Sequence, residues 1–104
     1  MADPKRKMPK VLKITSGDLP EECLTSLARR DSVLIGRGIE CDVRIQDSKA
    51  SRTHCRLTRC EDGFMLEDLN SKNGTFVDGK RVDKKILLTQ NHIFKIGDTI
   101  FYLA

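Results

Sequence analysis

The stretch LEDLNSKNGTFVDGKRV, residues 66–82, contains two dipeptides that set its shape. Asn73-Gly74 and Asp78-Gly79 both accept the positive φ that a tight reversal requires. Asp78-Gly79 stands between "TFV" and "KRV" and reads as a two-residue hairpin. Upstream, "GFMLEDL" from Gly63 has the length and composition of a strand, and "NSKNGTF" is a polar link between strands.

The same alternation of short runs and breaks extends in both directions. The runs are "VLKIT" from 11, "SVLIG" from 32, "CDVRI" from 41, "HCRLT" from 54, "GTFV" from 74, "ILLT" from 86, "HIFKI" from 92 and "TIFYL" from 99. "CLTSLA" from 23 reads either as a strand or as a helical turn. In "CDVRI", Cys41, Val43 and Ile45 share one face while Asp42 and Arg44 share the other, the period of a half-buried strand. Asp62-Gly63 and Gly97-Asp98 supply further turns. No window of a dozen residues repeats at helical spacing. About ten short strands separated this often predict an all-β sandwich or barrel.

A chain of 104 residues with 38% hydrophobic and 33% charged residues suits one domain with a modest core and a solvated surface. No apolar run approaches membrane-spanning length, and the N-terminus lacks the apolar stretch of a signal peptide. The division expected is a basic leader over residues 1–10 and a folded domain over 11–104. The formal net charge of +4 belongs to the N-terminus: residues 1–13 hold five basic residues against Asp3, and the remainder balances 14 basic with 14 acidic. A neutral body argues against a nucleic-acid binder, which carries its excess charge on the folded surface. "PKRK", residues 4–7, reads either as a nuclear-import signal or as a solvated leader. Cys23, Cys41, Cys55 and Cys60 form no C-x-x-C pair, and His54 and His92 are the two histidines, so no zinc-site spacing arises. Reduced thiols are the expectation, as in the nucleus or cytosol, with Cys41 and Cys55 packing as small hydrophobes.

Three chemistries compete for "SKASRTHC", residues 48–55. Ser51 and His54 have the residue types of a nucleophile and its base. Their odd spacing at the start of a strand disfavours a direct hydroxyl–imidazole bond, and no carboxylate is evidently placed to orient the ring. "IGRGIE" around Arg37 is too short for a P-loop and lacks the following Gly-Lys-Ser/Thr. Taken together, "IGRG", "SRTH" and "NSKNGTF" bring Arg37, Lys49, Ser51, Arg52, Lys72 and Asn73 onto loops. At one end of a sandwich that set suits a phosphate dianion. His92 opens a late apolar strand and reads as structural.

The ordered set Gly36-Arg37, Ser51-Arg52-Thr53-His54 and Asn73-Gly74, with "LEDLNSKNGTFVDGKRV" around the last, resembles the forkhead-associated (FHA) domain family from about Val11 to Leu103. The resemblance implies an all-β sandwich of about eleven mostly antiparallel strands with ligand loops at one end. It also implies a phosphothreonine-peptide recognition module that acts in protein–protein interaction, with no enzyme activity, metal or cofactor. Arg37 and Ser51 would meet the phosphate, Arg52 would offer a further donor, and Asn73 would hold the peptide backbone. Gly36, His54 and Gly74 would shape the loops. Lys72 stands where the family favours threonine or another small residue, so it either supplies charge or faces solvent. The partner implied is a phosphothreonine-containing protein, with no membrane and a nuclear or cytoplasmic setting. The alternatives are the same fold used for phosphate-independent contact or dimerisation, and a basic nucleic-acid binder.

Overall fold

In the computed structural model, which describes residues 8–16 and 23–104, the alternating runs become eleven strands. They are β1 (Val11–Ser16), β2 (Cys23–Ser26), β3 (Ser32–Gly36), β4 (Val43–Arg44), β5 (Cys55–Cys60), β6 (Gly63–Asp68), β7 (Phe76–Val77), β8 (Lys80–Arg81), β9 (Lys85–Leu88), β10 (Ile93–Ile96) and β11 (Thr99–Leu103). One sheet has the order β2-β1-β11-β10-β7-β8 and the other β4-β3-β5-β6-β9. The fold is therefore a β-sandwich. No helix long and apolar enough to cross a membrane occurs among the described residues.

Register explains how the core forms. In the first sheet, Ile14 pairs with Phe101, Phe101 with Phe94, and Phe94 with Val77, a continuous buried row across four strands. The Phe94 and Phe101 rings stack with centroids 4.6 Å apart. In the second sheet, Val33, Leu57 and Leu66 form the corresponding row, all fully buried. Each such side chain contributes about 1.5–3 kcal/mol by leaving water. The period of two puts every second residue on these inner faces, which a one-residue slip would turn to solvent.

The structure adjusts several readings. "CLTSLA" is a strand, β2, with Leu24 left exposed and Leu27 buried just past its end. The strand missing from a count of ten is β8, the second arm of the Asp78-Gly79 hairpin; Asp78 has φ 51° and Gly79 φ 77°. "CDVRI" pairs only at Val43–Arg44, and it pairs in parallel with β3. The Asp42 carboxylate accepts the Leu34 N–H at 2.8 Å, occupying an edge donor of β3 beside that short pairing. Of the leader expected over 1–10, residues 8–10 are described and lie on the sandwich. Met8 packs against the core, Pro9 is buried, and Lys10 N–H donates to the Ala104 carbonyl at 2.7 Å. "PKRK" lies outside the described residues.

All four cysteines are free. Cys55 is fully buried in the core, where burial raises its thiol pKa far above the ordinary value. Cys41 is only half-buried, and burial again raises its pKa; its thiol donates to the Arg52 carbonyl at 3.1 Å. His92 accepts the Thr89 N–H at its Nδ1, 2.8 Å away, in the turn between β9 and β10.

Candidate functional site

Three segments meet through the ends of β3, β5 and β6: residues 37–42, 45–54 and 69–75. The first two are joined by backbone. Arg37 N–H donates to Ser51 O at 3.0 Å, Gly38 N–H to Arg52 O at 2.9 Å, and His54 N–H to Ile35 O at 2.8 Å. This approach depends on residue 36 having no side chain: a Cβ on Gly36 would stand 2.3 Å from the Arg52 carbonyl oxygen.

The second and third segments are joined through side chains. The fully buried His54 ring accepts the Ser51 N–H at Nδ1, 2.9 Å away. An Nδ1 that accepts leaves the proton on Nε2, which lies 2.8 Å from the Gly74 carbonyl and donates to it. Lys72 N–H donates to Ser51 Oγ at 3.1 Å, and Asn73 Nδ2 donates to the Lys49 carbonyl at 3.0 Å. Because Ser51 Oγ accepts from Lys72, its own O–H is left to donate elsewhere. The Asn73 side-chain oxygen likewise keeps its acceptor capacity.

The third segment is held from within by Asp68. Ser71 Oγ at 2.6 Å and Thr75 Oγ1 at 2.7 Å donate to one carboxylate oxygen, and Ser71 N–H at 3.0 Å donates to the other. Burial pushes the Asp68 pKa up, but these donors together hold it below the ordinary carboxylate value. Gly74 N–H donates to Ser71 Oγ at 3.0 Å, and Gly74 takes φ +90°, a conformation that side chains rarely adopt. Asp47 anchors the second segment. It accepts the Lys49 N–H at 2.9 Å, the Asp98 N–H at 2.8 Å and the Thr99 hydroxyl at 3.0 Å. Burial raises its pKa too, and these donors again bring it below the usual value.

The residues singled out in the sequence thus fall on neighbouring, mutually bonded segments. Arg37, Arg52, Lys72 and Asn73 are exposed, Ser51 is half-exposed, and Gly36, His54 and Gly74 are buried beneath them. Arg52 is partly committed, with Nε 3.0 Å from a Glu40 carboxylate oxygen. The bond to Arg52 contributes to lowering the Glu40 pKa, after the larger effect of Glu40's own backbone N–H. Both ring nitrogens of His54 are occupied by backbone groups, so the ring is not a base for the Ser51 hydroxyl. The arrangement presents fixed donors and cations to an anion.

Arg44 is a residue that the sequence motifs do not mark. It stands opposite Gly36 in the β3–β4 register, its Nε donates to the Arg37 carbonyl at 2.9 Å, and it lines a cavity of about 460 Å³ with Arg37 and Arg52. The alternation in "CDVRI" is the one signal for it, since it puts Arg44 on the solvent face.

Comparison with known proteins agrees with this geometry. The model of the family described as "FHA domain" matches residues 33–97. Human proliferation marker protein Ki-67 is 38% identical over 68 residues, which is 65% of this chain and 2% of that protein. The FHA domain-containing protein FhaB of Mycolicibacterium smegmatis is 30% identical over 99 residues, covering 95% of this chain and 63% of FhaB. The chain therefore spans less than two thirds of either relative. Among solved structures, the FHA domain of the CT664 protein from Chlamydia trachomatis superposes with TM-score 0.73 at 26% identity, over 88% of this chain and 92% of that one. A structure from a study of phosphothreonine-dependent FHA domain interactions gives TM-score 0.71 at 26% identity, over 88% and 93%. With the fold, the loop geometry and the family match in agreement, this chain belongs to the FHA domain family.

Proposed function

We propose that the chain is a phosphothreonine-peptide recognition module, with Arg37 and Ser51 on the phosphate and Asn73 on the peptide backbone. An FHA domain is a non-catalytic module, so the function is one of binding. The observation that carries the reading is the state of Ser51. Its hydroxyl accepts from Lys72 N–H and keeps its own proton for a ligand, one backbone hydrogen bond from the exposed Arg37. A phosphothreonine carries close to two negative charges and three acceptor oxygens. A guanidinium meets these with charge-assisted donors that keep their charge at every physiological pH. A structural neighbour studied for phosphothreonine-dependent FHA domain interactions supports the same chemistry. Arg52 and Lys72 add positive potential at the rim. Relatives include bacterial proteins as well as Ki-67, so the proposed chemistry is not tied to a nuclear setting.

The test is a phosphothreonine-peptide library screen followed by calorimetry on the selected sequence in phosphothreonine, phosphoserine and unphosphorylated forms. The unphosphorylated peptide should not bind measurably. Phosphoserine should bind at least about fourfold more weakly, since one buried methyl is worth about 0.8 kcal/mol. Equal binding of the phosphorylated and unphosphorylated forms would overturn the reading in favour of phosphate-independent contact.

A further inference from the structure

We infer that the outer face of the six-stranded sheet docks an amphipathic α-helix of a partner protein, one whose apolar stripe carries two acidic residues seven or eight positions apart. This goes beyond the proposed function and does not rest on it. The face shares no residue with the loops around Arg37, Ser51 and Asn73.

Register lays the face out. Its outward side chains form two rows, Leu24–Lys13–Tyr102–Ile93 and Thr15–Ile100–Lys95–Phe76. Leu24 is 63% exposed, Ile93 46% and Ile100 38%, while Tyr102 and Phe76 are half-buried. Apolar surface thus runs from β2 to β7, and exposed surface of that continuity marks a contact. Phe76 and Ile93 also line a cavity of about 430 Å³, with Lys95 and Asp78 beside them.

Two cations stand inside this surface. Lys13 Nζ lies 5.9 Å from the centroid of the Tyr102 ring, whose hydroxyl donates to Asn91 Oδ1 at 2.5 Å. Among the described residues, neither Lys13 nor Lys95 makes an ion pair, and neither row holds a carboxylate. The other sheet differs. Its outer row Leu34–Arg56–Glu67–Lys85 sets Glu67 3.8 Å from both Arg56 and Lys85. The first sheet's lysines are left for a partner, and acidic groups complement them.

Their spacing selects a helix. Lys13 and Lys95 stand two strands and one row apart, which is about 9.6 Å by about 6.8 Å, or about 12 Å on the diagonal. Seven or eight residues of helix rise about 10.5–12 Å. Tyr102 and Ile100 lie between the lysines, and Leu24 and Phe76 lie beyond them. The matching stripe reads apolar, acid, apolar, acid, apolar. A sheet face offers no backbone pairing to an extended segment, whereas a helix satisfies its own backbone and presents one stripe. A second copy of this chain would press four lysines together with no carboxylate from these rows. A lipid surface takes lysines at the rim of an apolar patch, and these lie along its middle.

The test selects a displayed library of 20-residue helices, randomised on one face, against the whole chain. Selected helices should carry Asp or Glu seven or eight apart with large apolar residues between. Anisotropy on a synthetic copy should show Lys13→Glu with Lys95→Glu weakening binding at least about tenfold, as two pairs turn from attraction to repulsion. Changing the peptide's two acids to lysine should restore affinity for that double variant to within about threefold. Arg37→Ala should bind the helix as the wild type does. Failure to select a helix, selected helices without the paired acids, or affinity indifferent to the charge swap overturns the inference. So does a melting midpoint lowered by more than about 5 °C in the double variant, which would mean that the lysines are satisfied within this chain. Self-association, or binding to vesicles containing anionic lipid, that the double variant abolishes would give the face to a second copy or to a membrane instead.

Discussion

His54 Nε2–H donates to the Gly74 carbonyl at 2.8 Å, joining residues 20 apart in the chain beneath the candidate site. The same ring accepts the Ser51 N–H, so one imidazole sets the spacing of two segments of the candidate site. His54→Ala should therefore lower stability first and affinity as a consequence. Two buried polar groups lose their partner at about 1–3 kcal/mol each. At roughly 4–8 °C per kcal/mol for a domain of this size, the melting midpoint should fall by ten degrees or more. An unchanged midpoint with lost binding would make His54 a direct ligand contact.

Arg37→Ala should do the reverse. The side chain is exposed, and its backbone bond to Ser51 does not depend on it. The melting midpoint should stay within about 3 °C while phosphopeptide affinity falls by about 1.5–3 kcal/mol, the worth of a charge-assisted bond. Calorimetry and a thermal melt on the same sample separate the two effects. Normal binding, or an unfolded variant, would remove Arg37 from the phosphate.

Phosphopeptide affinity should weaken between pH 7.5 and pH 5. The phosphate takes up its second proton near pH 6, and the ligand loses charge while the arginines keep theirs. Titration at both pH values, with circular dichroism as a fold check, measures the change. Equal affinities would show that the monoanion is sufficient.

Asp68 supplies a separate, acid-side dependence. Its pKa in the folded chain is depressed, after burial is outweighed by the Ser71 and Thr75 donors. A depressed carboxylate stabilises the fold fully above its unfolded value of about 3.9, and that stabilisation is lost as pH falls through the folded value. The wild-type midpoint should exceed that of Asp68→Asn at pH 7, and the gap should narrow below about pH 4. A gap constant from pH 7 to pH 3 would place the effect in packing rather than charge.

The fold was legible wherever one local cue decided the geometry. Asp78-Gly79 gave the hairpin because its turn chemistry lies within two residues, and both take the positive φ that the dipeptide allows. The alternation that buries Leu57 and Leu66 needs only neighbours along one strand. Leu24 defeated the same reading, since an exposed leucine in an edge strand removes the pattern that separates a strand from a helical turn. The placement of Arg37, Ser51 and Asn73 on neighbouring segments was legible through an ordered set of motifs. Arg44 was not, because its place beside Arg37 depends on a parallel register that no local spacing encodes. The Asp68 network was hidden for a related reason: three donors converge on one carboxylate only after residues 69–75 have folded back.

Asp47 reaches Asp98 and Thr99, 51 and 52 residues further along the chain. Asp98 immediately precedes β11 and Thr99 begins it, and that strand pairs with both β1 and β10. Chain closure over such a span is an entropic cost met before any of its contacts is gained. On the ribosome, the segment carrying Ser51 is made long before the hairpin that fastens it. A nascent chain released short of Asp98 has every arginine of the candidate site and lacks its clasp. Residues 45–54 therefore gain this anchor only once the turn at Gly97-Asp98 has been made, so the order of one loop is set by residues 51 and 52 positions downstream of Asp47.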